Sequence, residues 1–134
     1  TIANAMDVGD PSNFARILDL YGRSLEAIRA DISAARYDDG QICRAIAETL
    51  ERTGYLLDPH GACGYLALCE GLREDETGVF LETAHPAKFR DRVEPVIGRS
   101  IEIPARLAEF MRGKKLSVEL PADFGAFRDF LMAK

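Results

Sequence analysis

Tryptophan is absent from the sequence, and its 134 residues include only two histidines and three cysteines. The cysteines are Cys43, Cys63 and Cys69, and no two of them have the two-residue spacing of a zinc knuckle. An odd number of cysteines without a close pair argues against a disulfide framework. Such thiols are typical of a reducing compartment, so we expect a cytoplasmic protein.

Long apolar runs and a basic surface are missing as well. Stretches such as "YLALC" and "VFL" are far shorter than the roughly 20 apolar residues that span a membrane. The formal net charge of −5 provides no basic surface for nucleic acid. With 47% hydrophobic and 29% charged residues, the composition is that of a globular chain of about one domain. We expect neither a membrane nor a nucleic acid as a partner.

The chain also lacks an initiator methionine and a signal-peptide pattern, since it begins Thr1-Ile2-Ala3. This start is typical of the interior of a longer gene product. We therefore expect a fragment that exposes apolar surface and associates when it is isolated.

Apolar side chains recur at spacings of three and four residues, which predicts a series of amphipathic helices. In the first, over residues 11–21, Asp10 suits the N-cap and Pro11 suits the first helical position. Further helices are predicted over 24–31, from Asp38 or Asp39 to Gly54, after Pro59, Pro86 and Pro104, and over about 121–132.

Three short segments between these helices are predicted to be strands, namely residues 2–9, 32–37 and 78–83. The second also suits a helix, because it contains Ala34-Ala35-Arg36. Strands that alternate with helices usually pair in parallel through helical crossovers. The expected fold class is therefore α/β, with three layers, a thin and mostly parallel sheet, and many helices.

Polar residues concentrate where an apolar segment gives way to a helix, at residues 6–14, 56–65 and 81–89. Ligands of open α/β sheets bind at the carboxyl ends of strands, so these three junctions are predicted to converge on one site. Each junction taken alone is better explained by an ordinary helix cap, turn or strand end.

Two other kinds of site use the same residues. His60 and His85, with Asp58 as a third ligand, have suitable donor atoms for a metal, but their spacing is not diagnostic. Cys63 beside a histidine would suit a Cys–His hydrolase. It lies in an apolar helical stretch, however, where a thiol is normally inert. We predict neither a metal site nor a catalytic cysteine.

The three junctions together match a known family. In chain order, their sequences are "AMDVGDPSNFARI", "LLDPHGACGYLAL" and "VFLETAHPAKF". This set resembles the C-terminal part of the threonine synthases of bacteria and fungi. The resemblance implies a pyridoxal-phosphate (PLP) enzyme of fold type II that converts O-phospho-L-homoserine and water to L-threonine and phosphate. It makes residues 1–98 the C-terminal part of the PLP-binding large domain and residues 99–134 a C-terminal helical tail.

The resemblance assigns cofactor contacts to three positions. The Thr83 hydroxyl would face the pyridine nitrogen, Gly9 would let the backbone approach the cofactor closely, and Asp58 would line the site. A neutral hydroxyl leaves the ring nitrogen largely unprotonated, which moderates the electron sink. His85 is expected to position the turn after Thr83 and not to transfer protons.

The family's cofactor lysine and its glycine-rich phosphate loop do not occur in the sequence. Its lysines are Lys88, Lys114, Lys115 and Lys134, and none lies in the family's lysine motif. No catalytic residue is therefore assigned, and the chain alone is expected to be inactive and to need the missing N-terminal part as a partner. The alternatives are a non-catalytic binding module and another PLP lyase of fold type II.

The second junction departs from the family pattern at two positions. Gly61 and Cys63 stand where many members of the family have Thr and a small aliphatic residue. Because Gly61 has no hydroxyl, the resemblance does not support a polar role at this position.

Overall fold

The structure, a computed structural model, describes residues 1–4 and 7–133. Its regular elements are helices, which in chain order are α1 (Phe14–Leu20), α2 (Leu25–Asp31), α3 (Asp39–Thr53), α4 (Pro59–Gly71), α5 (Arg90–Ile97), α6 (Ala105–Met111) and α7 (Phe124–Met132). A 3₁₀ turn, Pro86–Phe89, precedes α5. Among the described residues, no helix is long and apolar enough to cross a membrane.

The chain divides into two compact units, Thr1–Glu102 and Ile103–Lys134. The first contains α1 to α5, and the second contains α6 and α7. None of the residues of α6 or α7 is buried. The densest packing of the chain, and the residues around the three junctions, therefore belong to the first unit.

The core of the first unit forms where α3 packs against α4 and α5. Ile42 and Ile46 of α3 are buried there together with Leu57 and Val93. Ile42 and Ile46 are four residues apart, so they lie on the same face of the helix. Burying a side chain of this size contributes roughly 1.5–3 kcal/mol to stability. This core holds the start of α4 in place.

Both ends of α3 lie where the sequence predicted them. Asp38 Oδ1 accepts a hydrogen bond from the backbone N–H of Gln41 (2.8 Å), and Gln41 Oε1 accepts one from the N–H of Asp38 (3.0 Å). This reciprocal pair is a capping box. At the other end Gly54 has a φ of 74°, a left-handed conformation that glycine adopts without steric cost. The predicted bounds of α3 are confirmed.

The predicted start of α1 is wrong by three residues. Asn13, and not Asp10, is the N-cap, and its side chain makes no capping hydrogen bond. The N–H of Phe14 donates to the carbonyl of Pro11 (3.0 Å), so residues 11–14 form a turn before the helix. An Asp-Pro pair suits the start of a turn as well as the start of a helix, which explains the error.

The predicted α/β fold, with its thin and mostly parallel sheet in three layers, is wrong for this chain. Among the described residues none belongs to a β-strand. Residues 33–37 and 77–84 make no backbone hydrogen bonds to each other or to another segment of that part of the chain. The strand predicted over 2–9 includes residues 5 and 6, which lie outside the described residues.

The physical reason is that a β-strand forms only when its backbone is hydrogen-bonded to a neighbouring strand. Ile32 and Asp38 have extended backbone angles, as a strand pattern requires. An extended segment gains little stability in water without a neighbouring strand to pair its N–H and C=O groups. Periodicity identified segments that are not helical, but it did not reveal whether partner strands are present in this chain.

Candidate functional site

Residues 78–82 pass along α4 in the opposite direction to the helix. The positions that face each other are Gly61 with Glu82, Gly64 with Phe80, and Leu68 with Gly78. Helix positions three and four apart share a face, and every second residue of an extended segment shares a face. The alternate residues Val79 and Leu81 point away and are 81% and 77% exposed. The segment therefore has one face on α4 and one face outside.

Asp58 forms the N-cap of α4 and is fully buried. Its Oδ1 accepts a hydrogen bond from the backbone N–H of His60 (2.9 Å) and lies 2.9 Å from His60 Nδ1, which donates to it in the tautomer protonated at Nδ1. Pro59 occupies the first helical position, where its missing N–H removes no helical hydrogen bond. The His60 ring also packs against Phe89, with ring centroids 4.9 Å apart. Backbone and ring together hold His60 in one orientation.

Glu82 brings a second carboxyl group to the start of α4. Its Oε1 accepts a hydrogen bond from the backbone N–H of Asp58 (2.7 Å). Burial, with the neighbouring Asp58 carboxyl, raises the pKa of Glu82 to about 7, although the hydrogen bond from the Asp58 N–H acts in the opposite direction. At neutral pH a substantial fraction of Glu82 is therefore protonated.

Asp58, His60 and Glu82 together form what we name the buried cluster. Three of its buried polar atoms, Asp58 Oδ2, His60 Nε2 and Glu82 Oε2, have no hydrogen-bond partner among the described residues. Buried polar atoms in native proteins are nearly always paired, so each of these three needs an explanation.

Thr83 follows the buried cluster directly and is exposed. With His60, Cys63, Gly64 and residues of the 79–81 segment it lines an open cavity of about 640 Å³. Within the described part of the chain the Thr83 side chain has no hydrogen-bond partner. Its hydroxyl is therefore free to bond to a ligand in this cavity.

His85 terminates the segment and begins the 3₁₀ turn. Its Nδ1 accepts a hydrogen bond from the backbone N–H of Ala87 (3.1 Å), while Pro86 and Ala87 are buried. The imidazole thus acts as a cap that fixes the direction of the chain two residues after Thr83. Lys88 of the same turn is exposed.

Comparison with a protein-family model identifies the family of this chain. Residues 61–131 match the model described as "Threonine synthase, C-terminal". The chain belongs to the threonine synthase family.

Curated relatives extend the likeness over nearly the whole chain. The threonine synthases of Escherichia coli K12 and Serratia marcescens are each 40% identical to it over 132 residues, which is 98% of this chain. The same alignments cover 30% of each relative, so the chain spans about a third of their length.

Two solved structures share the fold of the chain. The crystal structure of threonine synthase from Escherichia coli matches 99% of the chain with a TM-score of 0.76 and 40% identity, over 31% of its own length. The PLP-bound threonine synthase from Brucella melitensis matches 99% of the chain with a TM-score of 0.76 and 29% identity, over 34% of its own length.

The structure brings two of the three predicted site positions near each other. Glu82 connects Asp58 with Thr83, because its side chain accepts a hydrogen bond from the Asp58 N–H and it directly precedes Thr83 in the chain. Gly9 is exposed and is not among the residues that line the cavity beside Thr83. A Cβ added at Gly9 would meet no atom within 4 Å, so the space around its backbone is open.

The alternative chemistry weighed from the sequence has no support in the geometry. Among residues 1–4 and 7–133, no group of three or more His, Cys, Asp or Glu side chains is arranged to hold a metal ion. Cys63 donates its S–H to the carbonyl of Pro59 (3.4 Å), and burial raises the pKa of its thiol. A raised pKa keeps the thiol protonated and opposes a nucleophilic role.

Sequence reasoning missed Glu82 and the role of His60. The sequence did indicate that Glu82 faces inward, because Gly78, Phe80 and Glu82 are alternate residues of an extended segment and therefore share a face. A carboxyl group at a position that faces the interior is unusual and indicates a specific partner. The partner itself, the start of α4, is 24 residues earlier in the chain and was not predictable from local pattern.

Proposed function

We propose that this chain is the C-terminal portion of a PLP-dependent threonine synthase, which converts O-phospho-L-homoserine and water to L-threonine and phosphate. The observation that supports this most directly is the match of 99% of the chain to the structure of the Escherichia coli enzyme. Because the chain covers only 31% of that structure, the rest of the catalytic machinery would come from an N-terminal part of the same enzyme.

The residues around Thr83 fit a bound PLP. Their cavity, about 640 Å³, has the size of a small-molecule site. The free Thr83 hydroxyl is a donor suited to a pyridine nitrogen. When bound, PLP supplies the electron sink for carbanion chemistry.

Each predicted site residue has a distinct part in this proposal. Thr83 donates to the ring nitrogen and, being neutral, does not stabilise a protonated ring as a carboxylate would. Gly9 leaves its backbone accessible to the cofactor. Asp58 is fully buried, so it contributes by holding His60, which lines the cavity. His85 fixes the turn that follows Thr83.

On this proposal the chain alone is inactive, because none of its four lysines lies in the family's cofactor-lysine motif. Residues 1–98 would complete the PLP-binding domain and residues 99–134 would form the tail. The free cysteines suit a cytoplasmic enzyme.

The test is a chimera in which this chain replaces the matching C-terminal region of the Escherichia coli threonine synthase. We expect the chimera to bind PLP, seen as a cofactor absorbance band, and to release phosphate and form threonine from O-phospho-L-homoserine. The controls are the N-terminal region alone and this chain alone, neither of which is expected to turn over substrate.

Two results would decide against the proposal. A folded chimera that binds PLP no better than the N-terminal region alone would favour a non-catalytic binding module. A chimera that binds PLP and releases ammonia from threonine, but forms no threonine from the phosphorylated substrate, would favour another PLP lyase.

A further inference from the structure

In the buried cluster, each carboxyl group has one oxygen atom that receives no hydrogen bond from the described residues. Glu82 Oε1 is satisfied by the Asp58 N–H, and Asp58 Oδ1 is satisfied by His60. Glu82 Oε2 and Asp58 Oδ2 remain buried without a donor. Two neighbouring carboxylates that are both ionised and both lack a donor would repel each other in a medium of low polarity.

A single proton accounts for both the missing donors and the repulsion between the two carboxylates. Placed on one of the two carboxyl groups, it removes one negative charge and supplies the missing donor to the other. We propose that Glu82 and Asp58 share a single proton, and that this proton-dependent link makes Glu82 a positioning residue for Thr83. The inference rests on the proposed function only for what Thr83 does.

Among the described residues, no lysine or arginine forms an ion pair that would replace the proton. The titratable groups that face the pair are His60 and Cys63 of α4 and Tyr55, which precedes it. Burial raises the pKa of Tyr55, and the nearby charges of Glu82 and Asp58 raise it further, so Tyr55 lies within electrostatic reach of the pair. Among the described residues, His60 is the one ion-pair partner of Asp58, and no Lys or Arg pairs with Glu82.

The link acts on Thr83 through geometry. Glu82 is the last inward-facing residue of the 78–82 segment, and its carboxyl group ties that segment to the first turn of α4. Thr83 is the next residue and His85 caps the following turn. Thr83 is thus held from both sides, by the Glu82 link before it and by the His85 cap after it.

The sign of the pH dependence follows from the direction of the Glu82 shift. Its pKa in the folded protein is about 7, raised from the ordinary value of 4.5. The folded state therefore binds more protons than the unfolded state between these values, and the stability due to the link decreases as pH rises through about 7. Below about 4.5 the contribution is fully present.

The experiment compares the chimera with its Glu82→Gln variant. A glutamine amide reproduces the protonated side chain at all pH values, because its carbonyl accepts from the Asp58 N–H while its NH₂ donates to Asp58 Oδ2. We expect equal unfolding temperatures at about pH 4, below the ordinary pKa of a glutamate. At pH 8.5, with both proteins free of PLP, the unfolding temperature of the variant should exceed that of the unchanged chimera by about 2 °C or more. The PLP absorbance band should shift with pH in the chimera and stay constant in the variant.

Glu74→Gln is the matched control, since it makes the same chemical change at an exposed residue. Its difference from the unchanged chimera should not vary with pH. Asp58→Asn is a second variant, which retains an oxygen for the helix cap and offers an NH₂ to Glu82. It should also remove the pH dependence between about 4.5 and 7.

Parallel pH profiles for the chimera and Glu82→Gln would overturn the proposal and favour a bridging water between two ionised carboxylates. Failure of Glu82→Gln to fold would overturn it as well, because the shared proton requires that the amide be accommodated. The unfolding measurement needs no PLP, so loss of PLP binding by the unchanged chimera would refute the proposed function and leave this test intact.

Discussion

The carboxyl group of Glu82 occupies the space in which a side chain at position 61 would lie. A Cβ built on Gly61 would be 1.8 Å from Glu82 Oε2. A contact below 3.0 Å is not tolerated, so any larger residue at 61 must displace the Glu82 carboxyl group. The absence of a side chain at Gly61 is therefore what allows Glu82 to reach the Asp58 N–H.

Gly61→Ala should break the contact between Glu82 and the start of α4. Because the obstructing atom is the end of a flexible side chain, the backbone can remain while the carboxyl group moves away. Leaving the buried Asp58 N–H without its acceptor costs roughly 1–3 kcal/mol, partly offset by about 1 kcal/mol from the higher helix propensity of Ala. Urea unfolding of the chimera measures the net loss.

Gly64→Ala is the matched control for this prediction. It lies on the same face of α4, but its added Cβ would be 3.9 Å from Phe80 Cβ, an ordinary van der Waals contact. It should leave stability unchanged or raise it slightly through helix propensity. Equal losses in the two variants would contradict the assigned role of Gly61.

His85→Asn should change turnover little, because an Asn oxygen can replace Nδ1 as the acceptor for the Ala87 N–H. His85→Ala removes the acceptor and should cost about 1 kcal/mol, the usual value of a helix cap. Unfolding and turnover of the chimera distinguish the two variants. If His85→Asn abolished turnover, His85 would be a proton-transfer residue and not a cap.

Helices were predictable from the sequence where their end signals were unambiguous. The Asp38-Asp39 pair and Gly54 bounded α3, because an N-cap and a left-handed C-cap are roles that few residues can fill. Asp10 and Pro11 were ambiguous, since the same pair begins turns and helices. The sheet was not predictable, because a strand depends on the backbone of another segment.

The candidate site was predictable only in part for a similar reason. Thr83 and His85 were assigned to the site from motifs that are continuous in the chain, and both assignments stay predictions. Glu82 was overlooked, because its function depends on Asp58, which is remote in sequence and adjacent in space. Alternation in residues 78–82 indicated which side chains face inward, but not what they meet.

The isolated chain should self-associate through residues 77–84. This segment has no backbone ladder partner among the described residues, and Val79 and Leu81 on its outer face are largely exposed. Unpaired extended segments with apolar side chains are sites of edge-to-edge association. Leu81→Lys should reduce the mass measured by light scattering, whereas Thr77→Lys, which adds the same charge at an exposed polar residue, should reduce it less. A monodisperse monomer at high concentration would contradict this prediction.

Thr83→Val should alter both the spectrum of bound PLP and turnover in the chimera. Valine has nearly the shape of threonine but no hydroxyl, so the cavity is retained while the donor to the ring nitrogen is lost. A hydrogen bond of this kind is worth about 1 kcal/mol or more, which corresponds to a decrease in turnover of roughly fivefold or greater. Thr83→Ser keeps the hydroxyl and should restore most of the activity and the original absorbance maximum. Unchanged absorbance and turnover in Thr83→Val would refute a contact between this hydroxyl and the cofactor, since nothing else in the described structure occupies the hydroxyl.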